Sequence, residues 1–366
     1  MRSKKTIDRI FLSLVALLLV GGYFIFASAS FGLFLKEDGA FADTALIQLA
    51  SIALGVVLCW IASRVSLAFV KKHALFIGIA ALIPMVLVLI PGIGAAYGGA
   101  QRWFVLFGVS VQPGELFKLA FVIALSAWLS YAGVRHRQQT GKKTFFVFLF
   151  FLIIAGLVFL LQPDTDSFAI LVVAAGAMYA AAGMPLRHIA ALSAIAIVCV
   201  IVLFSVRPYL LERLTVFINP NRDPLGAGYQ LQQSLIAVGS GGLVGKGFGR
   251  SAQKFERLPE PTSDSIFAVF GEEFGIVGTG LLLLLFCALA LRGFRISARS
   301  PEPFGRSLAL GCTVLIIGAA FLNIASMLGL APLSGLTLPF ISRGGTAMLA
   351  TLIEVGFILN VSRRIV

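Results

Sequence analysis

The side chains of this chain that could do chemistry are a few ionisable residues in or beside long apolar runs. A charge inside an apolar segment is costly, so each such residue is a candidate functional group. A carboxylate at a membrane surface can take a proton as a general base, and a lysine or arginine can stabilise an anion that forms during a reaction. The candidates are Glu115, Lys118, Asp164, Asp166, Asp264, Glu272, Glu273 and Glu354.

Asp264 has the clearest setting of these candidates. It follows Thr262 and Ser263 and precedes an apolar run that begins near Ile266, which places it at the mouth of a predicted membrane span. One interpretation is a helix cap, in which a short acidic side chain satisfies free N–H groups. Ser263 could cap instead, and the preceding segment is rich in Arg and Lys. We therefore favour Asp264 as a general base for a substrate carried in the lipid.

Glu115 and Lys118 are three residues apart and share one face of a predicted helix. One interpretation is a structural ion pair that neutralises two buried charges. In the other, Lys118 faces a polar cavity together with Arg102, which lies nearby in the sequence. Glu272 and Glu273 are adjacent, so they point about 100° apart on a helix and cannot face one cavity equally. At least one of these two is expected to make a structural hydrogen bond.

A glycine-rich segment at residues 239–249 suggests a phosphate-binding loop but fails the required spacing. Ser240 stands where the first Gly of such a loop is needed, and Gly247 stands where Ser or Thr is needed. A flexible basic glycine loop remains, with Lys246 and Arg213 of the same region as candidate anion-binding residues. Simple turns between short helices are the competing interpretation.

The composition indicates a membrane protein. Of the 366 residues, 59% are hydrophobic and 12% are charged, against roughly 45–50% and about 25% in soluble domains. We predict an all-α fold with one transmembrane domain over residues 1–366, because apolar runs near the length that spans a bilayer recur. The ten predicted spans are 10–28, 44–63, 74–90, 113–132, 144–161, 167–183, 189–206, 265–291, 307–328 and 346–362.

Charge in the short loops orients these spans. Alternate loops carry most of the Lys and Arg residues, which the positive-inside rule places in the cytoplasm together with both termini. The loop at about 207–263, between the seventh and eighth spans, then lies outside and is predicted to contain re-entrant or interfacial helices. This topology accounts for the net charge of +13 without nucleic acid. The four Cys residues lie in apolar runs, so neither disulfides nor a metal cluster is predicted.

Several segments together resemble the SEDS family, the family of FtsW, RodA and SpoVE, over nearly the whole chain. The departures lie at Gly114, at Asp164–Ser167, at Arg343 and at Thr346. The segments that carry the resemblance are Gly99–Trp103, Gln112–Lys118, Asn219–Pro220, Asp223–Pro224, Gly228–Gln230, Gln233–Ala237, Leu258–Pro261, Asp264, Phe267–Val269, Gly271–Gly275, Leu338–Ser342 and Gly344–Gly345.

The resemblance implies a peptidoglycan glycosyltransferase of the bacterial cytoplasmic (inner) membrane. Its substrate would be lipid II, a disaccharide peptide linked to undecaprenyl pyrophosphate. Asp264 would correspond to the family's essential acidic residue. Arg102, Lys118, Arg213 and Lys246 are candidates to stabilise the leaving pyrophosphate, with Glu115 beside Lys118. A divalent cation, Mg²⁺ or Mn²⁺, could assist them.

The partners implied by the resemblance are a class B penicillin-binding transpeptidase and membrane proteins of the divisome or elongasome. The sequence of the outer loop is most similar to the division branch of the family, and membership of the elongation branch stays open. Two other classes fit a ten-span bundle: a lipid II flippase, and a non-catalytic scaffold for the transpeptidase. Inverted repeats would favour transport, and the sequence shows none.

Overall fold

The computed structural model is a helical bundle, as predicted. The residues it describes are 6–32, 40–97, 100–106, 109–136, 142–185, 187–188, 190–192, 194–195, 208–223, 226–255 and 257–365. The helices that cross or border the bundle are α1 (Arg9–Ser30), α2 (Ala40–Ala62), α3 (Leu67–Leu87), α4 (Pro113–His136), α5 (Lys142–Leu161), α6 (Thr165–Ala181), α9 (Ile266–Arg299), α10 (Pro303–Met327) and α11 (Gly345–Ser362). Two shorter helices, α7 (Pro208–Ile218) and α8 (Ala227–Ser240), lie between α6 and α9.

Eight helices among the described residues are long and apolar enough to cross a membrane, and α6 is a shorter apolar helix. They correspond to nine of the ten predicted spans. The remaining prediction, 189–206, falls mostly outside the described residues, so ten spans stay a prediction. Several helices extend beyond the predicted runs, and two of them do so by about two turns. α3 begins at Leu67 rather than 74, and α9 continues to Arg299 rather than ending at 291, because charged residues end an apolar run without ending the helix.

A small antiparallel sheet precedes α4 and was missed by the all-α prediction. Its strands are β1 (Ala95–Tyr97), β2 (Ala100–Leu106) and β3 (Val109–Val111), in the order β1-β2-β3. These strands are too short to stand out from the apolar sequence around them. The sheet matters for the site because β2 carries Arg102.

The centre of the bundle is formed by α4, α10 and α11, which are the most buried of the candidate spans. α10 packs against α4, α6, α9 and α11, while α2 packs along α11 and α1 packs against α9. Of the two short helices of the long loop, α8 packs on this framework, where it contacts both α9 and α10, and α7 packs against α8. The helices predicted for this loop are therefore present, and their re-entrant or interfacial position stays a prediction.

Helix α9 is broken at Gly275, whose backbone is left-handed with φ 62°. Such a conformation favours glycine. A break in a membrane helix leaves N–H and C=O groups without partners, and these must be satisfied inside the protein. Here the glycine-rich segment supplies the missing partners. The N–H of Ile276 donates to Gly242 O at 2.9 Å, and the N–H of Lys246 donates to Glu272 O at 3.0 Å. The segment is thus inserted into the break.

Candidate active site

Asp264 lies just before α9 and is partly buried. Helix α9 begins at Ile266, and its N-cap residue Ser265 makes no side-chain capping bond. The carboxylate of Asp264 accepts a hydrogen bond from the hydroxyl of Ser263 at 3.0 Å. Within the described residues it accepts none from a backbone N–H, so the capping interpretation is wrong. Its bond to Ser263 is therefore the side-chain hydrogen bond of Asp264 among the described residues.

The neighbours of Asp264 come from three other parts of the chain. Asp166 stands in the first turn of α6, and Arg213 of α7 is 3.1 Å from it, measured from Nη1 to Oδ2. The N–H of Gly335 donates to the same Asp166 oxygen at 3.3 Å. A methyl group placed on Gly335 would lie 3.8 Å from Oδ2 of Asp264. Asp264, Asp166 and Arg213 therefore converge around Gly335, and the predicted residue Arg213 belongs to this site.

The surroundings of Asp264 suit it to accept a proton. Burial raises the pKa of Asp264 to about 7, and the nearby carboxylates of Glu260 and Asp166 act in the same direction, against Ser263 and Arg213. A catalytic base works best when its pKa lies near the working pH, because it is then both ionised and basic. Perturbed carboxyl groups of this kind cluster at functional sites.

The predicted pair Glu115 and Lys118 is present on α4. Nζ of Lys118 is 2.8 Å from Oε1 of Glu115, and Lys118 is buried. Asp164 and Glu354, from the start of α6 and from α11, are near enough to act on Lys118 electrostatically. The predicted ion pair is therefore present, within a larger group of charged side chains at the centre of the bundle.

Arg102 fastens the connection between α5 and α6. Its Nε donates to Gln162 O at 2.7 Å, a second guanidinium nitrogen donates to Pro163 O, and Nη1 lies 4.0 Å from Asp164. The structure places Arg102 beside Asp164 and not directly on the ion pair of Lys118. Arg102 thus holds the residues just before the N-terminal end of α6, the helix that carries Asp166.

Lys246 is the fourth predicted cation, and it is bound to a carboxylate of α9. Its Nζ lies 2.6 Å from Oε1 of Glu272, whose side chain is fully buried. Ser251 donates its hydroxyl to the other oxygen of this carboxylate at 2.5 Å, and the N–H of Gln253 donates to it at 3.1 Å. Glu272 therefore holds the basic glycine loop against α9, and Lys246 is one of the residues of that loop that bind its carboxylate.

The second carboxylate of the pair, Glu273, has its own lysine. Nζ of Lys254 lies 2.8 Å from Oε1 of Glu273, and both side chains are almost inaccessible to solvent. Ser28 of α1 donates its hydroxyl to the Glu273 carboxylate at 2.7 Å. The sequence predicted a structural bond for at least one of the two glutamates, and the structure shows one for both. Lys254 was missed, because nothing in its local sequence indicates a buried partner.

No group of three or more His, Cys, Asp or Glu side chains among the described residues is arranged to hold a metal ion. The predicted aid of Mg²⁺ or Mn²⁺ stays a prediction.

The fold and this site define a class: a polytopic membrane protein with a partly buried carboxylate at one rim of its helical bundle. Comparison with known proteins places the chain within that class. It belongs to the FtsW, RodA and SpoVE family, whose model is described as a cell cycle protein and matches residues 8–365.

Relatives and solved structures are similar over nearly the whole chain. Stage V sporulation protein E of Bacillus subtilis is 36% identical, with 99% of each chain covered. A probable peptidoglycan glycosyltransferase FtsW of Geobacter sulfurreducens is 35% identical over 91% of this chain and 86% of its own length. A chain of a peptidoglycan synthase complex has a TM-score of 0.80 at 26% identity, and Thermus thermophilus RodA has 0.72 at 25%, each with 98% of both chains covered.

Proposed function

We propose that this chain is a peptidoglycan glycosyltransferase that polymerises lipid II at the outer face of the bacterial cytoplasmic membrane, in cell division or elongation. Family membership and the relatives named as peptidoglycan glycosyltransferases support the reaction class. The single observation that supports the chemistry is Asp264: a partly buried carboxylate at the rim of the bundle, bound by a neighbouring hydroxyl and beside an arginine.

The reaction joins the 4-hydroxyl of one sugar to the anomeric carbon of another. The hydroxyl oxygen forms the new C–O bond, its proton passes to a carboxylate oxygen of Asp264, and the bond from the anomeric carbon to the pyrophosphate oxygen breaks. The polyprenyl pyrophosphate leaves with the electron pair, so positive charge must face it. Arg213 is suited to this, since Asp166 holds its guanidinium at 3.1 Å and a third of the side chain remains exposed. With inversion at the anomeric carbon, no carboxylate nucleophile is required.

The pH dependence of polymerisation tests this proposal. Only the ionised form of Asp264 can take the proton, and its pKa is raised to about 7. We therefore expect kcat/KM to be level above about pH 8 and to fall as the pH drops through 7, approaching tenfold per unit. The measurement is polymerisation of labelled lipid II by purified protein in detergent. A rate that is flat from about pH 5 to 8, or that falls as the pH rises, would contradict the assignment.

The flippase and scaffold alternatives make less use of the site. A flippase must bind the pyrophosphate at both faces of the membrane, and a scaffold needs no catalytic group at all. A scaffold gives no reason for a carboxylate to be partly buried near Asp166, where mutual repulsion favours the protonated form of Asp264. A glycosyltransferase does, because that setting produces the basicity its reaction needs.

A class B penicillin-binding transpeptidase is the proposed partner, with membrane proteins of the divisome or elongasome around it. The likeness to a chain from a complex that coordinates polymerization and crosslinking supports a crosslinking partner. The relative named for stage V sporulation and those named FtsW support a role in division-type wall synthesis.

The proposed orientation, with both termini in the cytoplasm, is tested by cysteine labelling in a variant without native Cys. Ser66 lies between α2 and α3, Pro301 between α9 and α10, and Asn221 between α7 and α8, and all three are exposed. Single cysteines at Ser66 and Pro301 are expected to react with an impermeant maleimide only after the membrane is opened. A cysteine at Asn221 is expected to react in intact spheroplasts. The reverse pattern would overturn the orientation.

A further inference from the structure

The three peptide carbonyls of residues 262–264 each accept a hydrogen bond from outside their own segment. The donors are the N–H of Arg343 at 2.7 Å, the hydroxyl of Ser342 at 2.7 Å and Nδ2 of Asn323 at 2.8 Å, taken in chain order of the carbonyls. We name these three donors the carbonyl clamp. The N–H groups of Ser263 and Ser265 donate to Glu260 O within the segment, and the clamp ties the backbone that carries the Asp264 side chain to the rest of the protein.

Asn323 is the member of the clamp that holds Asp264 itself. It lies on α10 and is fully buried. Its Nδ2 also donates to Leu336 O at 2.7 Å, so one nitrogen uses both of its N–H groups to join two carbonyls. Its Oδ1 is buried and has no hydrogen-bond partner among the described residues. A buried acceptor without a partner is unfavourable. The two hydrogen bonds donated by Nδ2 are therefore what favours an amide at this position.

The second hydrogen bond of Asn323, to Leu336 O, holds the segment that borders the carboxylate of Asp264. Leu336 follows Gly335, the residue whose N–H holds Asp166 and whose Cα faces Asp264. Asn323 therefore fixes two things relative to each other: the main chain that carries Asp264, and the segment that borders its carboxylate. We infer that Asn323 is a positioning residue for the general base, a role that rests on the proposed function. It does not contact the substrate and acts through Asp264.

The chain contains a matched control for this inference. Asn360 of α11 is buried, and its Nδ2 likewise donates to two carbonyls, of Ala62 at 2.8 Å and of Val65 at 2.7 Å. It lies near the C-terminal end of α11, whereas the clamp lies near the N-terminal end, so the two asparagines are at opposite ends of the bundle. Removing either amide leaves one buried and one partly buried carbonyl without this donor, but only Asn323 serves the site.

The experiment compares Asn323→Leu with Asn360→Leu as purified full-length proteins in detergent with lipid II. Both are expected to lose thermal stability to a similar extent. A displacement of a catalytic group by about 1 Å can cost roughly 10²-fold, so kcat of Asn323→Leu should fall by about 10–10²-fold with KM little changed. Once released, Asp264 reaches more water, and the midpoint of the acid limb should move below the parent's. Asn360→Leu should keep the parent's kcat and midpoint.

Ser342→Ala provides a second variant that leaves Asn323 in place and removes the clamp bond to Ser263 O, together with the bond that the hydroxyl accepts from the N–H of Leu338. It should lower kcat and move the midpoint in the same direction, to a smaller extent, and it decides the question if Asn323→Leu does not fold. The inference is overturned if the parent polymerises lipid II and the Asn323 or Ser342 variant matches Asn360→Leu in kcat and midpoint. A parent that makes no polymer would instead contradict the proposed function.

Discussion

Asp264→Asn is expected to lower the rate of glycan polymerisation by roughly 10²–10⁴-fold, the usual contribution of a general base. Asparagine is nearly the same size as aspartate, and its amide oxygen can still accept the bond from Ser263. What it lacks is the ability to take a proton at neutral pH. The measurement is single-turnover polymerisation of labelled lipid II, with the transpeptidase partner present.

Stability is expected to separate this loss from misfolding. The pKa of Asp264 in the folded protein is about 7, above about 3.9 for an unfolded chain. The folded state therefore binds the proton more tightly, and ionisation of Asp264 lowers the stability as the pH rises between these two values. At about pH 8 the Asp264→Asn variant should melt at no lower temperature than the parent.

Glu212→Gln, at an exposed carboxylate on α7, is the matched control and should polymerise normally. Normal polymerisation by Asp264→Asn would show that the base lies elsewhere.

Lys254→Met is expected to give the largest loss of stability. The ion pair of Lys254 with Glu273 is almost inaccessible to solvent, and removing one member strands a buried charge at a cost of about 3–5 kcal/mol. The double variant Lys254→Met/Glu273→Gln should recover most of that loss, because the remaining side chains are neutral. The measurement is the free energy of unfolding in detergent.

Lys246→Met is the control for that prediction. Its lysine pairs with the neighbouring Glu272 but is 39% exposed, and Glu272 keeps its bonds to Ser251 and Gln253. The loss for Lys246→Met should therefore be clearly smaller than for Lys254→Met. Equal losses in the two single variants, or no recovery in the double variant, would contradict the view that burial makes the charge left on Glu273 costly.

The sequence predicted what depends on local pattern. The membrane helices follow from apolar runs of spanning length, and the ion pair of Glu115 and Lys118 follows from spacing along one helix. Asp264 was found because it stands at the start of such a run. These predictions need no knowledge of which helices are neighbours.

The parts that were missed depend on contacts between distant segments. Lys254 finds Glu273 only because the glycine loop enters the break at Gly275. One interpretation of the sequence placed Lys118 in a polar cavity together with Arg102, but Arg102 contacts the connection between α5 and α6. Asn323 looks like any polar residue in an apolar helix until its carbonyl partners are known. Pattern along the chain carries no information about such pairings.

The most direct test of the account is whether the purified parent protein makes glycan strands from lipid II in detergent, with a class B penicillin-binding protein added. Detergent removes the membrane barrier, so transport cannot contribute to the product. The account predicts long glycan strands that are sensitive to lysozyme from the parent and almost none from Asp264→Asn. If the parent makes no strands with any such partner, yet moves lipid II across sealed vesicles, the chain is a transporter and the proposed function is wrong.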